Sequence, residues 1–291
     1  MTAAAADMHA EALRKPFDWG RVARAAFYLY CTLVLVFLIA PLLVIVPLSF
    51  NAEPYFTFTP KMLALDPTGW SFRWYEELRA NPQWIESVKN SFIVAVFSTL
   101  IATILGTMAA IGLSRPNMPY RGLIMALVLS PMIVPVIVVA AGMSFVYGSW
   151  GLAQTHLGLI LAHATLGAPF VVITMTATLS GFDRRLVQAS QSLGATPTTT
   201  FFQITLPLVA PGLAAGALFA FATSFDELVT VLFLGGPDQT TIPRQMWSGI
   251  REQISPAILA AATLLICVAA TLLLLIQLAQ NQQKYYGGSK G

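Results

Sequence analysis

Charge is scarce in this sequence. Only 10% of its 291 residues are charged and 56% are hydrophobic, whereas an ordinary soluble domain is about 25% charged and about 45 to 50% apolar. That balance excludes a water-soluble globular protein, a disordered chain, a collagen and a secreted miniprotein. Cysteine is almost absent. Cys31 and Cys267 are the only two, each inside an apolar stretch, and they are expected to be small core hydrophobes with no disulfide or metal framework. The net charge of +3 is too small and too scattered to suggest nucleic-acid binding. No G-x-x-x-x-G-K-[ST] run occurs, and the GGSKG tail has neither the spacing nor the preceding strand of a phosphate loop, so this chain is not expected to hydrolyse ATP. A G-x-S-x-G elbow is missing too, which leaves serine-hydrolase chemistry without support.

What the sequence does contain is long apolar runs. Six are marked, from Phe27 to Leu48, Ser91 to Gly112, Gly122 to Val146, Leu157 to Ser180, Pro211 to Leu234 and Pro256 to Ala279. Each has about 20 residues or more, enough for a helix to cross about 30 Å of hydrocarbon. Barrel strands would be about 10 residues long and strictly alternating. The expected fold is therefore all-α, a polytopic membrane protein with six transmembrane helices. Residues 1–26 form an N-terminal segment, 27–279 the six-helix domain and 280–291 a tail. Kinks are expected at Pro41, Pro131, Pro135 and Pro169, which fall inside spans. The first run is longer than a signal-peptide core and is expected to be an uncleaved helix.

Basic residues set the orientation. With the N-terminus in the cytoplasm, Arg14, Lys15, Arg21, Arg24, Arg115, Arg121, Arg184, Arg185, Lys284 and Lys290 lie inside. Lys61, Arg73, Arg79, Lys89, Arg244 and Arg251 then lie outside, and the bias favours both termini cytoplasmic. The second span is rich in small residues, Ser98, Thr99, Thr103, Gly106, Thr107, Ala110 and Gly112, which suits close helix packing. The external segment Asn51 to Asn90 holds Tyr55, Phe56, Phe58, Trp70, Trp74, Tyr75 and Trp84, a cluster suited to the membrane interface, with a short interfacial helix over Trp74 to Arg79.

Between the fourth and fifth spans, residues 181–211 are mostly polar. Asp183 is a candidate N-cap, Leu186, Ser190 and Leu193 recur at helical spacing, and Gly194 stands where a helix ends in a left-handed cap. Thr196 and Pro197 then suit the cap and first position of a second short helix that continues through Phe201, Phe202 and Ile204 toward Pro207.

In this segment Gln188, Ala189 and Ser190, then Gly194, then Ile204, Leu206 and Pro207, resemble the EAA loop of the permease subunits of type I ABC importers. SPMIVPVIV at 130, LAHATLGAPFVV at 161, SFDELVTVLFLGG at 224 and TIPRQMW at 241 resemble the PotC-like permeases of spermidine and putrescine importers. The similarity runs from about Pro41 to the sixth span. It implies that residues 181–209 are a cytoplasmic coupling loop, with Gln188, Ala189, Ser190, Gly194, Ala195, Leu206 and Pro207 coupling to the ATPase. The implied partners are a second homologous permease, two cytoplasmic ATP-binding subunits that hold ATP and Mg, and a periplasmic binding protein, in the bacterial inner membrane. This chain itself would be non-catalytic and bind no cofactor. Gln188 and Ser190 depart from the family's Glu and second Ala, so a charge-assisted contact becomes a neutral one, roughly half as strong.

Asp226 and Glu227 are the only charged residues inside the six spans, where a carboxylate costs at least about 2.5 to 3.5 kcal/mol at the bilayer centre. They need water or a partner. On a continuous helix Asp226 would lie about 22 Å from Pro211, toward the outer side, with Thr223 and Thr230 on its face. For a cationic solute a carboxylate attracts an ammonium group, and Phe225 or Phe219 offers a ring face. A hydrogen bond or ion pair to a partner subunit, or exposure at the outer surface, would equally account for the pair. His163, without an acidic neighbour at helical spacing, is read as a hydrogen-bonded packing residue, His156 as a boundary residue, and His9 as part of the N-terminal tail.

The polyamine expectation competes with other amine-bearing or zwitterionic cargo, such as opines and aminophosphonates. An ion-coupled secondary carrier usually shows repeats, broken spans and several intramembrane ionisable groups. A membrane enzyme would need a paired acid and base or a metal set. The three histidines have no metal-ligand spacing.

Overall fold

All six apolar runs lie mainly on helix, and no strand occurs among the residues described by the structure, a computed structural model covering 19–115, 117–252 and 255–287. The cause is the peptide backbone: in hydrocarbon each N–H and C=O must be satisfied within the chain, which a helix does except at its end turns. By contact the chain divides into two units, Met1–Leu48 and Ser49–Gly291, each described by itself. In the first, α1 (Trp19–Leu48) is a 30-residue helix that runs through Pro41 and Pro47.

The second unit opens with α2 (Pro60–Leu63) and α3 (Arg73–Ala80), followed by α4 (Pro82–Leu113), α5 (Arg121–Ile133), α6 (Val136–Ser149) and α7 (His156–Ser180). A loop bearing α8 (Arg185–Ser192) leads to α9 (Pro197–Thr200), a π turn at Phe201–Thr205 and α10 (Leu206–Phe225). After a break come α11 (Val229–Leu234), α12 (Ile242–Glu252) and α13 (Ala257–Gly287). Four helical stretches, α1, α4, α7 and Pro197–Phe225, are each long and apolar enough to cross a membrane. The pair α5 and α6 qualifies together, and Ala257–Thr271 is a shorter apolar part of α13.

The packed centre is α4 against α7 and α10. Small residues make it possible. A Cβ on Gly106 would lie 2.8 Å from the Val171 Cβ, and one on Gly212 would collide with the Thr178 hydroxyl. Ser98, Thr107 and Ala110 are buried at the same interfaces, while Gly112 faces open space.

Several boundaries depart from the sequence reading. The second span starts at Pro82, well before Ser91, because Asn81 accepts the Gln83 N–H and Pro82 fills the first helical position. The external cluster is divided. Tyr55, Phe56, Phe58 and Trp70 are exposed, but Trp74 and Trp84 are buried with Leu78, Phe225 and Ile242, and the Trp74 indole donates to the Asn51 carbonyl at 2.7 Å. The third span is a pair of helices bent by 102°, far more than a kink. Pro135 disfavours helical geometry at Val134, which is extended, whereas Pro131 and Pro169 stay inside their helices. Cys31 and Cys267 are free, as expected, yet exposed rather than in the core.

Two ends of the second unit can be told apart. At one, the Asn90 amide donates to the carbonyls of Asp238 (2.8 Å) and Thr240 (3.0 Å), and its oxygen lies 2.9 Å from His156 Nε2. At the other, Arg184 donates to the Ser114 carbonyl, tying the loop before α8 to the end of α4.

Candidate functional site

The segment 181–209 starts at the end marked by Arg184 and Ser114. Asp183 accepts the Arg185 N–H at 2.9 Å, so its carboxylate closes the start of α8 although Arg184 holds the cap position. The chain then turns at Gly194, whose φ of +82° is in the left-handed region where a β-carbon costs about 1 to 2 kcal/mol. Thr196 caps α9 through the Thr199 N–H, with Pro197 at the first position. Here the expected second short helix proves to be the entrance of the fifth span, since α9, the π turn and α10 run on from Pro197 to Phe225. Leu206 and Pro207 therefore lie inside that long helix.

Ser190 and Thr200 hold the two arms together. Their hydroxyls are 2.8 Å apart and both residues are buried. The outward surface of α8 and its turn shows Gln188, Ala189, Gln191 and Leu193, the last 89% exposed, while Ala195 is half-buried. The result is an apolar tip on a short helix braced by the Ser190–Thr200 contact.

The second place of interest is the break in the fifth span. The helix ends at Phe225, and Asp226, Glu227 and Leu228 separate it from α11. Thr230, beyond the break, consequently does not share a helical face with Asp226, a correction to the continuous-helix reading, whereas Thr223, three residues before Asp226 on α10, does. Glu227 is the paired carboxylate: its Oε1 accepts the Thr230 N–H at 2.8 Å and the Thr230 hydroxyl at 3.1 Å, capping the short α11. Asp226 is exposed, and its side chain has no partner among the described residues. Phe225 is unsuited to receive a cation, because it is 8% exposed, stacked on Phe221 and edge-on to Phe92. Phe219, 51% exposed, lies two helical turns before Asp226 on the same side of α10.

One residue that chemistry alone left as packing turns out to anchor this break. His163 is buried, with Nδ1 2.8 Å from the Ser224 hydroxyl, which also accepts from Ser98 at 2.9 Å. The absence of acidic neighbours at helical spacing agrees with a hydrogen-bonded packing role for the ring. Its partner on a distant helix had no sequence signal. Among the described residues there is no group of three or more His, Cys, Asp or Glu side chains that can hold a metal ion.

Comparison with known proteins shows the family and the fold. Residues 102–284 match the family described as binding-protein-dependent transport system inner membrane component. The spermidine/putrescine transport system permease protein PotC of Escherichia coli (strain K12) is 30% identical over 247 residues, 85% of this chain and 89% of that protein. The putrescine transport system permease protein PotI of the same strain is 33% identical over 238 residues, 79% of this chain and 82% of the relative. Among solved structures, a bacterial alginate ABC transporter in complex with an alginate pentasaccharide-bound periplasmic protein superposes with a TM-score of 0.60 at 20% identity, covering 94% of this chain and 99% of the matched one.

Proposed function

Because the chain belongs to the family of binding-protein-dependent transport system inner membrane components and is a permease subunit of an ABC importer, we propose that its cargo is a polyamine such as spermidine or putrescine. The observation that carries this is Asp226. It is an exposed carboxylate, unpartnered among the described residues, at the end of an apolar helix, one to two turns beyond the exposed Phe219 and Ala222. A carboxylate and an aromatic face on one side of a helix attract an alkylammonium group, while the spacing hydrocarbon of a polyamine suits the apolar wall between them. The names of the two Escherichia coli relatives support the same solute class.

In this proposal the path is completed by a second, homologous permease packed against the exposed face of α10. A periplasmic binding protein delivers the solute at the end bearing Asn90 and His156. At the opposite, cytoplasmic end, α8 enters a groove on one of two ATP-binding subunits, which hold ATP and Mg, and both termini of this chain lie on that side. Gln188, Ala189, Ser190, Gly194 and Ala195 form the docking element, and Leu206 and Pro207 pass its displacement directly into the fifth span. A docking helix braced across a tight turn onto the entrance of a span transmits a push better than a flexible loop does.

The test is uptake by the assembled importer in vesicles together with identification of the solute that co-purifies with the cognate binding protein. Putrescine or spermidine should co-purify and be taken up only when ATP is present on the coupling side. A zwitterionic or anionic solute in the binding protein, with no polyamine uptake, would remove the cargo assignment and leave the permease assignment in place.

A further inference from the structure

A cavity of about 240 Å³ lies among the end of α4, the start of α5, the end of α7 and the residues before α8. Its walls include Arg121, Arg184, Ser114 and Thr176, and none of its described lining residues is acidic. Arg184 donates to the Ser114 carbonyl, which leaves its remaining N–H groups for another acceptor. Arg121 has no hydrogen bond or ion pair among the described residues. The hydroxyls of Ser114 and Thr176 are buried and also without a partner.

The backbone adds to the same bias. Tyr120, in a left-handed conformation, precedes α5 without a side-chain cap, and the first turn of that 13-residue helix contains no acidic residue. Its free N–H groups and helix dipole favour an anion. The neighbouring Asp183 accepts the Arg185 N–H through Oδ1 and forms no ion pair with either arginine among the described residues.

We propose that this cavity is a phosphate site, one that binds the phosphodiester of an anionic phospholipid headgroup or a free phosphate. Guanidinium groups offer planar pairs of donors to phosphate oxygens, and the two buried hydroxyls add neutral donors. The cavity stands at the end of apolar helices, the depth at which headgroup phosphates lie, and basic pockets between membrane helices are suited to such headgroups. An occupied site would hold Arg184, the residue immediately before α8, and so fix the root of the coupling helix. The inference rests on the membrane setting of the proposed function. The site itself is defined by this chain's own side chains, so its failure would leave the permease and cargo assignments untouched.

The experiment uses the assembled importer in nanodiscs of phosphatidylcholine with a minor fraction of phosphatidylglycerol, reading retained lipid by native mass spectrometry. Wild type should retain phosphatidylglycerol preferentially. Arg121→Gln, which breaks no contact among the described residues, should lower retention about fivefold, and Arg121→Gln with Arg184→Gln about 25-fold. Arg115→Gln, an equal loss of charge at an exposed residue outside the cavity wall, should change nothing. If millimolar inorganic phosphate displaces the lipid from wild type, the site takes free phosphate as well; if it does not, the lipid is the ligand. Equal retention by wild type and Arg121→Gln, or an equal loss in Arg115→Gln, overturns the proposal.

Discussion

His163 Nδ1 lies 2.8 Å from the Ser224 hydroxyl, two residues before the backbone leaves the helix at Asp226. Ser98 joins the same hydroxyl, so α4, α7 and α10 are tied together at one point beside the break. On the far side Glu227 caps α11. The break is thus fixed on both flanks, and Asp226 projects from a rigid platform. With the backbone so held, only the Asp226 side chain itself has to become ordered when it meets a charged solute.

The Ser190–Thr200 contact makes a local prediction. Ser190→Ala should strip a buried hydroxyl of its partner and cost about 1 to 3 kcal/mol. Adding Thr200→Val removes the orphaned group, and most of the loss should be recovered. Thermal unfolding of the purified importer measures both, and additive losses would show that the two hydroxyls act independently.

Orientation can be checked by impermeant thiol labelling at Leu193→Cys, the most exposed site of the coupling turn. Cys31 and Cys267 are both exposed and must be removed first. Reagent should reach the new thiol in inside-out vesicles and not in intact cells. The opposite pattern would invert the topology and move α8 away from the ATPases.

Much of this arrangement is legible in the sequence because its determinants are local. Gly194, Thr196 and Pro197 each announce a turn or a cap, and the structure places them in those roles. Pro135 locally announces a departure from helix at Val134, but the 102° size of the bend is set by how α5 and α6 pack, which local sequence does not show. The break after Phe225 was hidden. Nothing in SFDEL stops a helix, and it is the capping of Thr230 by Glu227 and the long-range hold of His163 on Ser224 that favour a stop there. Trp74 and Trp84 lie in a buried cluster and not at the interface, a choice local sequence does not make because aromatic residues beside a span suit both.

Gly194 supplies a test of coupling in which sterics and conformation separate. A β-carbon there would touch nothing within 4 Å, so any penalty comes from φ alone. Gly194→Asn, which tolerates the left-handed region, should keep most uptake. Gly194→Val should reduce uptake and solute-stimulated ATP hydrolysis at least several-fold while leaving membrane insertion normal. Equal activity of the two variants would mean that the turn geometry does not matter to coupling.

Asp226 and Glu227 are adjacent carboxylates with different surroundings, and the difference predicts different losses. Glu227 has its Oε1 engaged by the backbone and hydroxyl of Thr230, so Glu227→Gln should weaken the start of α11 and lower stability, with all solutes affected alike. Asp226 caps nothing through its side chain, and Asp226→Asn should leave assembly and unfolding temperature unchanged. Its effect should appear in the apparent affinity for a dication, about tenfold weaker as a charge-assisted contact becomes neutral, and hardly at all for an uncharged analogue of similar length. Uptake titrations with both solutes decide the matter. A loss common to the two solutes would make Asp226 structural, and an unchanged affinity for the dication would remove it from the translocation path.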